Sequence, residues 1–218
     1  MKQAYRRQLA VLFQRQPMYN NYTAMEHLEF MGYLKGVPHP EILRHGTDLL
    51  EFTGLADQRN RRIATFSGGM RQRLAIAGTL LGNPQILMLD EPSVGLDLQE
   101  REALKQLLRK IRKERIILIS THIVPDVDRI CDHVLLMQEG KILKQGDVKS
   151  MVADLDGAIW TVPESDHSLI ESFSHYFVNG EMRVKSAQPP TPHSTISEVT
   201  LEDVYFCTVQ PRKWEGLL

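Results

Sequence analysis

The stretch ILMLDEPSVGLD, residues 86–97, joins an unbroken apolar run to two adjacent carboxylates, a proline and an aspartate placed to cap a helix. Ile86-Leu87-Met88-Leu89 does not alternate with polar residues, which marks a strand covered on both faces, as in a parallel sheet. Ile116-Ile117-Leu118-Ile119 repeats the pattern further along. Between the two runs, residues 98–113 carry Leu104, Leu107, Leu108 and Ile111 on one helical face, and Asp97 with Glu100 fits a capping box at its start. Strand, helix, strand is one βαβ unit, so the fold class is α/β.

The chain changes character on both sides of this unit. Upstream, residues 23–84 read as mostly helical. Thr23 and Glu26 fit a second capping box, Pro40 opens another helix that Gly54 follows, and a third runs from about Gly69 to Leu81. Gly82-Asn83-Pro84 stops it. Downstream, His133–Gln138 and Lys141–Gln145 read as a hairpin around Glu139-Gly140. Past residue 156, Tyr176–Val178 and Glu181–Lys185 flank Asn179-Gly180, a strong hairpin signal. AQPPTPHSTIS (187–197) reads as a Pro/Ser/Thr linker and LEDVYF (201–206) as a short terminal element. These shifts divide the chain into 1–22, 23–84, 85–156 and a small accessory domain at 157–218.

Composition excludes several classes. With 26 Lys+Arg against 27 Asp+Glu, the net charge of -1 lacks the basic footprint of a nucleic-acid binder. The basic run 109–115 closes a helix, where cations meet the negative dipole end. Cys131 and Cys207 stand far apart and form no metal-ligand pair, which fits a reducing cytosol. No apolar run approaches the roughly 20 residues of a membrane span, and the first residues form no signal peptide. A soluble, cytoplasmic chain is expected.

Asp90 and Glu91 lie at the carboxyl end of the first buried run, and Ser120-Thr121-His122 at the same end of the second. Ligands of open α/β sheets bind along that edge. Carboxylates and an imidazole converging there suit phosphoryl transfer, with one carboxylate holding Mg²⁺ through water and a neighbour orienting the attacking water. Ser67-Gly68-Gly69 adds a second element: glycines and a serine at a helix start expose backbone N–H groups to an anion. Taken singly, each has a plainer reading, an acidic strand end with a packed histidine or a flexible Ser-Gly-Gly loop.

Together these residues resemble the ATP-binding cassette (ABC) family, specifically the nucleotide-binding subunit of a membrane transporter, over about residues 5–150. FSGGMRQR (66–73) looks like the family signature, with Met70 where glutamine is commoner. ILMLDEP looks like Walker B followed by the catalytic glutamate, SVGLD resembles the D-loop, and STH the switch histidine. Gln14 matches the Q-loop glutamine that leads into the helical subdomain. The terminal TLEDVYF is similar to tails on exporter-type cassettes. The resemblance implies ATP and Mg²⁺ as ligands, and a homo- or heterodimer with a second nucleotide-binding subunit. It also implies attachment to an integral membrane permease at the cytoplasmic face. It implies Asp90 and Gln14 for the metal, Glu91 as base and His122 as γ-phosphate sensor. Ser67, Gly68 and Gly69 would contact the nucleotide held by the other subunit, and Asp97 would communicate across the dimer. Soluble cassettes of DNA repair or translation carry long coiled coils or tandem cassettes, and this chain shows neither.

The family's P-loop, G-x-x-x-x-G-K-[ST], is absent from the sequence. Gly140-Lys141 has Leu135 and Ile142 at the flanking motif positions and reads as a hairpin turn. The expected fold is therefore a P-loop NTPase-like cassette without its N-terminal strands and P-loop, with a helical subdomain and an α+β appendage. Loss of the P-loop strand is expected to bare strand edges and an apolar sheet face. The readings that follow are a truncated copy of an ATP-hydrolysing exporter subunit, a decayed gene product without ATPase activity, or a non-catalytic subunit donating its signature in trans.

Overall fold

The structure, a computed structural model, describes residues 8–127, 130–170 and 173–209. Packing groups the chain into two compact units that meet in sequence between His122 and Ile123. In the first, β1 (Leu9–Leu12), β2 (Ile86–Asp90) and β3 (Ile116–Ser120) form a parallel sheet in that order. The register pairs Leu12 with Leu89 and Leu89 with Ile119, so all three strands end at one edge. β1 was not anticipated; its LAVL run is short, and its only signal is apolarity. α4 (Leu98–Ile111) makes the crossover from β2 to β3, with Leu104, Leu107, Leu108 and Ile111 buried as its spacing requires.

The segment between β1 and β2 folds as α1 (Ala24–Leu34), α2 (His39–Phe52) and α3 (Gly68–Leu80), which pack on one another. Leu28, Leu50, Leu55, Ile63, Leu74 and Leu81 form their shared core. α1 starts with the expected capping box: Thr23 Oγ1 accepts from the Glu26 N–H, and Glu26 Oε2 accepts from the Thr23 N–H at 2.7 Å. The bonds from Thr23 hold the Glu26 carboxyl below its ordinary range. α3 ends on a device with no local signal. The Lys35 ammonium donates to the carbonyls of Gly78, Thr79 and Leu81 at 2.8, 2.6 and 3.1 Å, satisfying acceptors that a helix end leaves open. Burial pulls Lys35 down to about 8.

The apolar strands are covered on one face only, a difference from the two-sided cover that their sequence suggests. Ala10, Leu12, Leu87 and Leu89 are buried. Val11, Met88 and Leu118, paired in one row across the sheet, are exposed, as is Ile116 at 68%. The expectation of a bared apolar face holds for this row.

The second unit begins with α5 (Val124–Val127). The hairpin β4 (His133–Gln138) and β5 (Lys141–Asp147) turns through Glu139 and Gly140, both at positive φ. α6 (Val148–Ala153) follows. β6 (Ile159–Val162), β7 (His175–Val178), β8 (Glu181–Lys185) and β9 (Thr195–Ile196) then form an antiparallel sheet in the order β7-β8-β6-β9. Asn179-Gly180 makes the expected turn, with φ of 52° and 84°. The stretch read as a linker is partly structured, because Thr195 and Ile196 pair with β6. Leu136, Met151, Leu155 and Ile159 share one core with Leu201 and Val204 of α7 (Leu201–Thr208). The hairpin that lies before residue 156 thus packs with the segment after it.

Asp203 is fully buried at the start of α7 and ties that helix to the sheet. It accepts from Arg183 at 2.7 Å and from the Tyr176 hydroxyl at 2.9 Å, and caps the helix through Thr200. Burial, with Cys207 and Asp203 beside it, pushes the Tyr176 hydroxyl up. Asp203→Ala leaves the buried Arg183 guanidinium with only the Glu198 carbonyl at 3.2 Å and the exposed Glu181 at 3.6 Å, and is expected to destabilise the chain by about 3–5 kcal/mol. Asp203→Leu with Arg183→Met should recover most of that loss. Urea melts of the single and double variants check this; equal stability would mean that the pair is not the tie.

His27 is buried on α1 with its Nδ1 unpartnered among the described residues. Burial holds its imidazole at about 4. The unfolded chain takes up this proton near the ordinary value of about 6.5. Its contribution to stability is therefore intact above about pH 6.5 and is lost as pH falls toward about 4. From pH 7.5 to 4.5 the chain should lose about 2–3 kcal/mol more than His27→Leu does. Equal losses in urea titrations would show that His27 titrates as though exposed.

Candidate functional site

Every strand of the parallel sheet delivers a polar group to the same edge. Gln14 lies exposed just past the end of β1, Asp90 closes β2, and Ser120 closes β3 two residues before His122. The register places Asp90 opposite Ser120, whose hydroxyl donates to Asp90 Oδ1 at 2.6 Å. The Asp90 residue is exposed. The Glu91 N–H continues the ladder by donating to the Ser120 carbonyl at 2.9 Å.

Glu91 then turns sharply, with a φ of 46°. A residue bearing a Cβ adopts that left-handed region at a cost of about 1–2 kcal/mol, and strain of this kind gathers at functional sites. The turn aims the side chain at His122. Glu91 Oε1 accepts from the His122 N–H at 3.2 Å and lies 2.7 Å from His122 Nδ1. An ionised Glu91 can only accept in the second contact, which then sets a proton on Nδ1 of a largely exposed ring. Glu91 Oε2 is buried with no partner among the described residues.

A second group of residues forms where α3 and α4 begin. Ser67 is the N-cap of α3, its Oγ accepting from the Met70 N–H at 3.2 Å. Asp97 is the N-cap of α4, accepting from the Glu100 N–H at 2.8 Å. Glu100 joins the two helix starts. Its Oε1 accepts from the Gly69 N–H at 2.9 Å and from the Ser67 hydroxyl at 3.2 Å, while Oε2 accepts from the Asp97 N–H. A Cβ on Gly69 would overlap the Glu100 carboxyl, so glycine is needed for this approach. Ser67 and Gly68 are exposed and Gly69 is buried.

Gln14, Asp90, Glu91 and His122 thus share the sheet edge, and Ser67, Gly68, Gly69 and Asp97 share the helix starts. Gln72 links the groups by donating to the Pro92 carbonyl at 2.7 Å. The reading of residues one by one missed the bond from Ser120 to Asp90 and the second role of Glu100. The capping-box spacing identifies Glu100, but nothing local indicates that α3 starts beside it. No cluster of three or more His, Cys, Asp or Glu side chains suited to a metal occurs among the described residues. Asp90 and Gln14 do present exposed oxygen donors on one edge, the donor type that suits Mg²⁺ when phosphates supply the remaining ligands. No helix among the described residues is long and apolar enough to cross a membrane.

A family model described as "ABC transporter" matches residues 1–94. The ABC transporter ATP-binding protein NatA of Bacillus subtilis is 36% identical over 135 residues, covering 62% of this chain and 55% of NatA. The Nod factor export ATP-binding protein I of Rhizobium leguminosarum is 34% identical over 137 residues, covering 62% of this chain and 44% of that protein. Among solved structures, cbiO1 from Clostridium perfringens, part of the ABC transporter complex cbiONQ, superposes with a TM-score of 0.62 at 30% identity. That match covers 68% of this chain and 61% of cbiO1. The chain spans about half the length of the curated relatives that it matches.

The left-handed turn at Glu91 makes a direct prediction. Glu91→Gly and Glu91→Ala both remove the bond to His122, but only glycine relieves the backbone. The glycine variant should be the more stable by about 1 kcal/mol in thermal or urea melts. An alanine variant of equal or greater stability would show that the turn is unstrained.

Proposed function

Because the chain belongs to the ABC transporter ATP-binding family, we propose that it acts as part of the ATP-binding, ATP-hydrolysing subunit of an export-type membrane transporter. The observation that carries the chemistry is the Glu91–His122 pair at the sheet edge. Glu91 orients the attacking water and takes its proton. Oε1 is committed to His122 and Oε2 is buried without a partner among the described residues, so the carboxylate would turn toward the water to act on it. His122 is fixed through Nδ1, and a γ-phosphate oxygen would accept from Nε2 when that nitrogen also carries a proton. Asp90 and Gln14 would hold Mg²⁺ beside the phosphates, and the ion when bound neutralises their charge.

Ser67, Gly68 and Gly69 serve a nucleotide held by a second nucleotide-binding subunit, through hydroxyl and N–H groups at the positive end of α3. Asp97, one turn from Glu100, carries the signal between the paired sites. An integral permease is the membrane partner and holds the subunit at the cytoplasmic face, a reading supported by cbiO1's place in a transporter complex. Export is supported by the printed name of the Nod factor relative and by the exporter-like tail.

The present sequence has no P-loop to hold β- and γ-phosphates, so the purified chain is expected to turn over ATP at background. A cassette in which these residues follow a P-loop-bearing segment should hydrolyse ATP, and Glu91→Gln should then lower kcat by roughly a hundredfold or more. His122→Ala should also lower kcat. Turnover by the bare chain that Glu91→Gln abolishes would overturn the need for a P-loop. A completed cassette indifferent to Glu91→Gln would overturn the assignment of the base.

A further inference from the structure

Gly69 does not present its N–H to solvent. That group already donates to a carboxylate from the same chain, Glu100 Oε1, at 2.9 Å, and the Ser67 hydroxyl donates to the same oxygen. These are two of the groups through which the Ser-Gly-Gly loop would grip a phosphate oxygen. A carboxylate oxygen and a phosphate oxygen are alike in charge and in the donors they seek. We propose that Glu100 is a resident anion that closes the Ser67–Gly69 slot in the unengaged subunit and must leave before a phosphate enters. The proposal rests on the reading that this slot receives a phosphate.

Three features favour a displaceable latch over a fixed brace. The Glu100 carboxylate is bonded only to Ser67, Gly69 and Asp97 among the described residues, so no cation pins it in place. It stands on the first turn of α4, where the Asp97 N–H offers a separate donor; the carboxylate can release α3 and still cap its own helix. It is also partly exposed, so its departure does not unpack a core. A phosphate oxygen arriving at Gly69 would meet a like charge at hydrogen-bond distance, a repulsion that only movement of Glu100 relieves. Gly69 gains a reason to be glycine before any nucleotide arrives, since a Cβ there would overlap the Glu100 carboxyl.

The test follows the Gly69 amide resonance in the ¹⁵N-labelled full chain during titration with tripolyphosphate. Glu100→Gln keeps an acceptor for the α4 capping box but removes the charge. Glu100→Ala removes both and serves if glutamine rebuilds the bond or folds poorly. In the unaltered chain, the Gly69 signal is expected to move only at concentrations well above those that half-saturate the variants. The apparent affinity at Gly69 should rise roughly tenfold or more on substitution, about 1.4 kcal/mol or greater. Equal responses in the unaltered chain and both variants would overturn the latch while leaving the phosphate slot standing. No Gly69 response in any of them would overturn the slot itself, and the latch with it.

Discussion

Parallel pairing of three strands, in a register that sets Asp90 opposite Ser120, governs the site in the first unit of this molecule. Parallel strands all point their carboxyl ends the same way, so whatever follows each strand arrives at one edge. Gln14, Asp90-Glu91 and His122 lie far apart in sequence and meet there for that reason alone. A one-residue slip of β3 would turn Ser120 to the opposite face and part it from Asp90. It would also remove the Ser120 carbonyl from the Glu91 N–H, and with it the turn that aims Glu91 at His122.

The second half of the site depends on helix starts. An α-helix leaves its first N–H groups without partners, and a buried start must find acceptors for them. Here one carboxylate answers two helices, Glu100 capping α4 and reaching the Gly69 N–H of α3. The side chain that does so is itself partly exposed.

The sheet is asymmetric in cover. Its inner row of Ala10, Leu12, Leu87 and Leu89 is buried, whereas Val11, Met88 and Leu118 line up across the other face in contact with solvent. Apolar area is worth roughly 25 cal/mol per Å² when removed from water, so any layer packed on this row would gain from covering it.

What was legible in the sequence is local. Apolar runs, capping boxes at Thr23 and Asp97, and the turns Glu139-Gly140 and Asn179-Gly180 depend on residues a few positions apart, and each formed where its pattern stands. The βαβ unit and the meeting of Asp90, Glu91 and His122 at one sheet edge followed from the direction of parallel strands. Other features were decided only by tertiary structure. β1 has no strand signal beyond four apolar residues and exists because β2 offers it an edge. Lys35 reaches Gly78, Thr79 and Leu81 across more than forty positions, and Arg183 finds Asp203 twenty positions away. Glu100 meets Gly69 only because α3 and α4 start side by side. Hydrogen-bonding demand is written at each residue, but which distant group satisfies it depends on the packing of whole elements, and no short window of sequence carries that information.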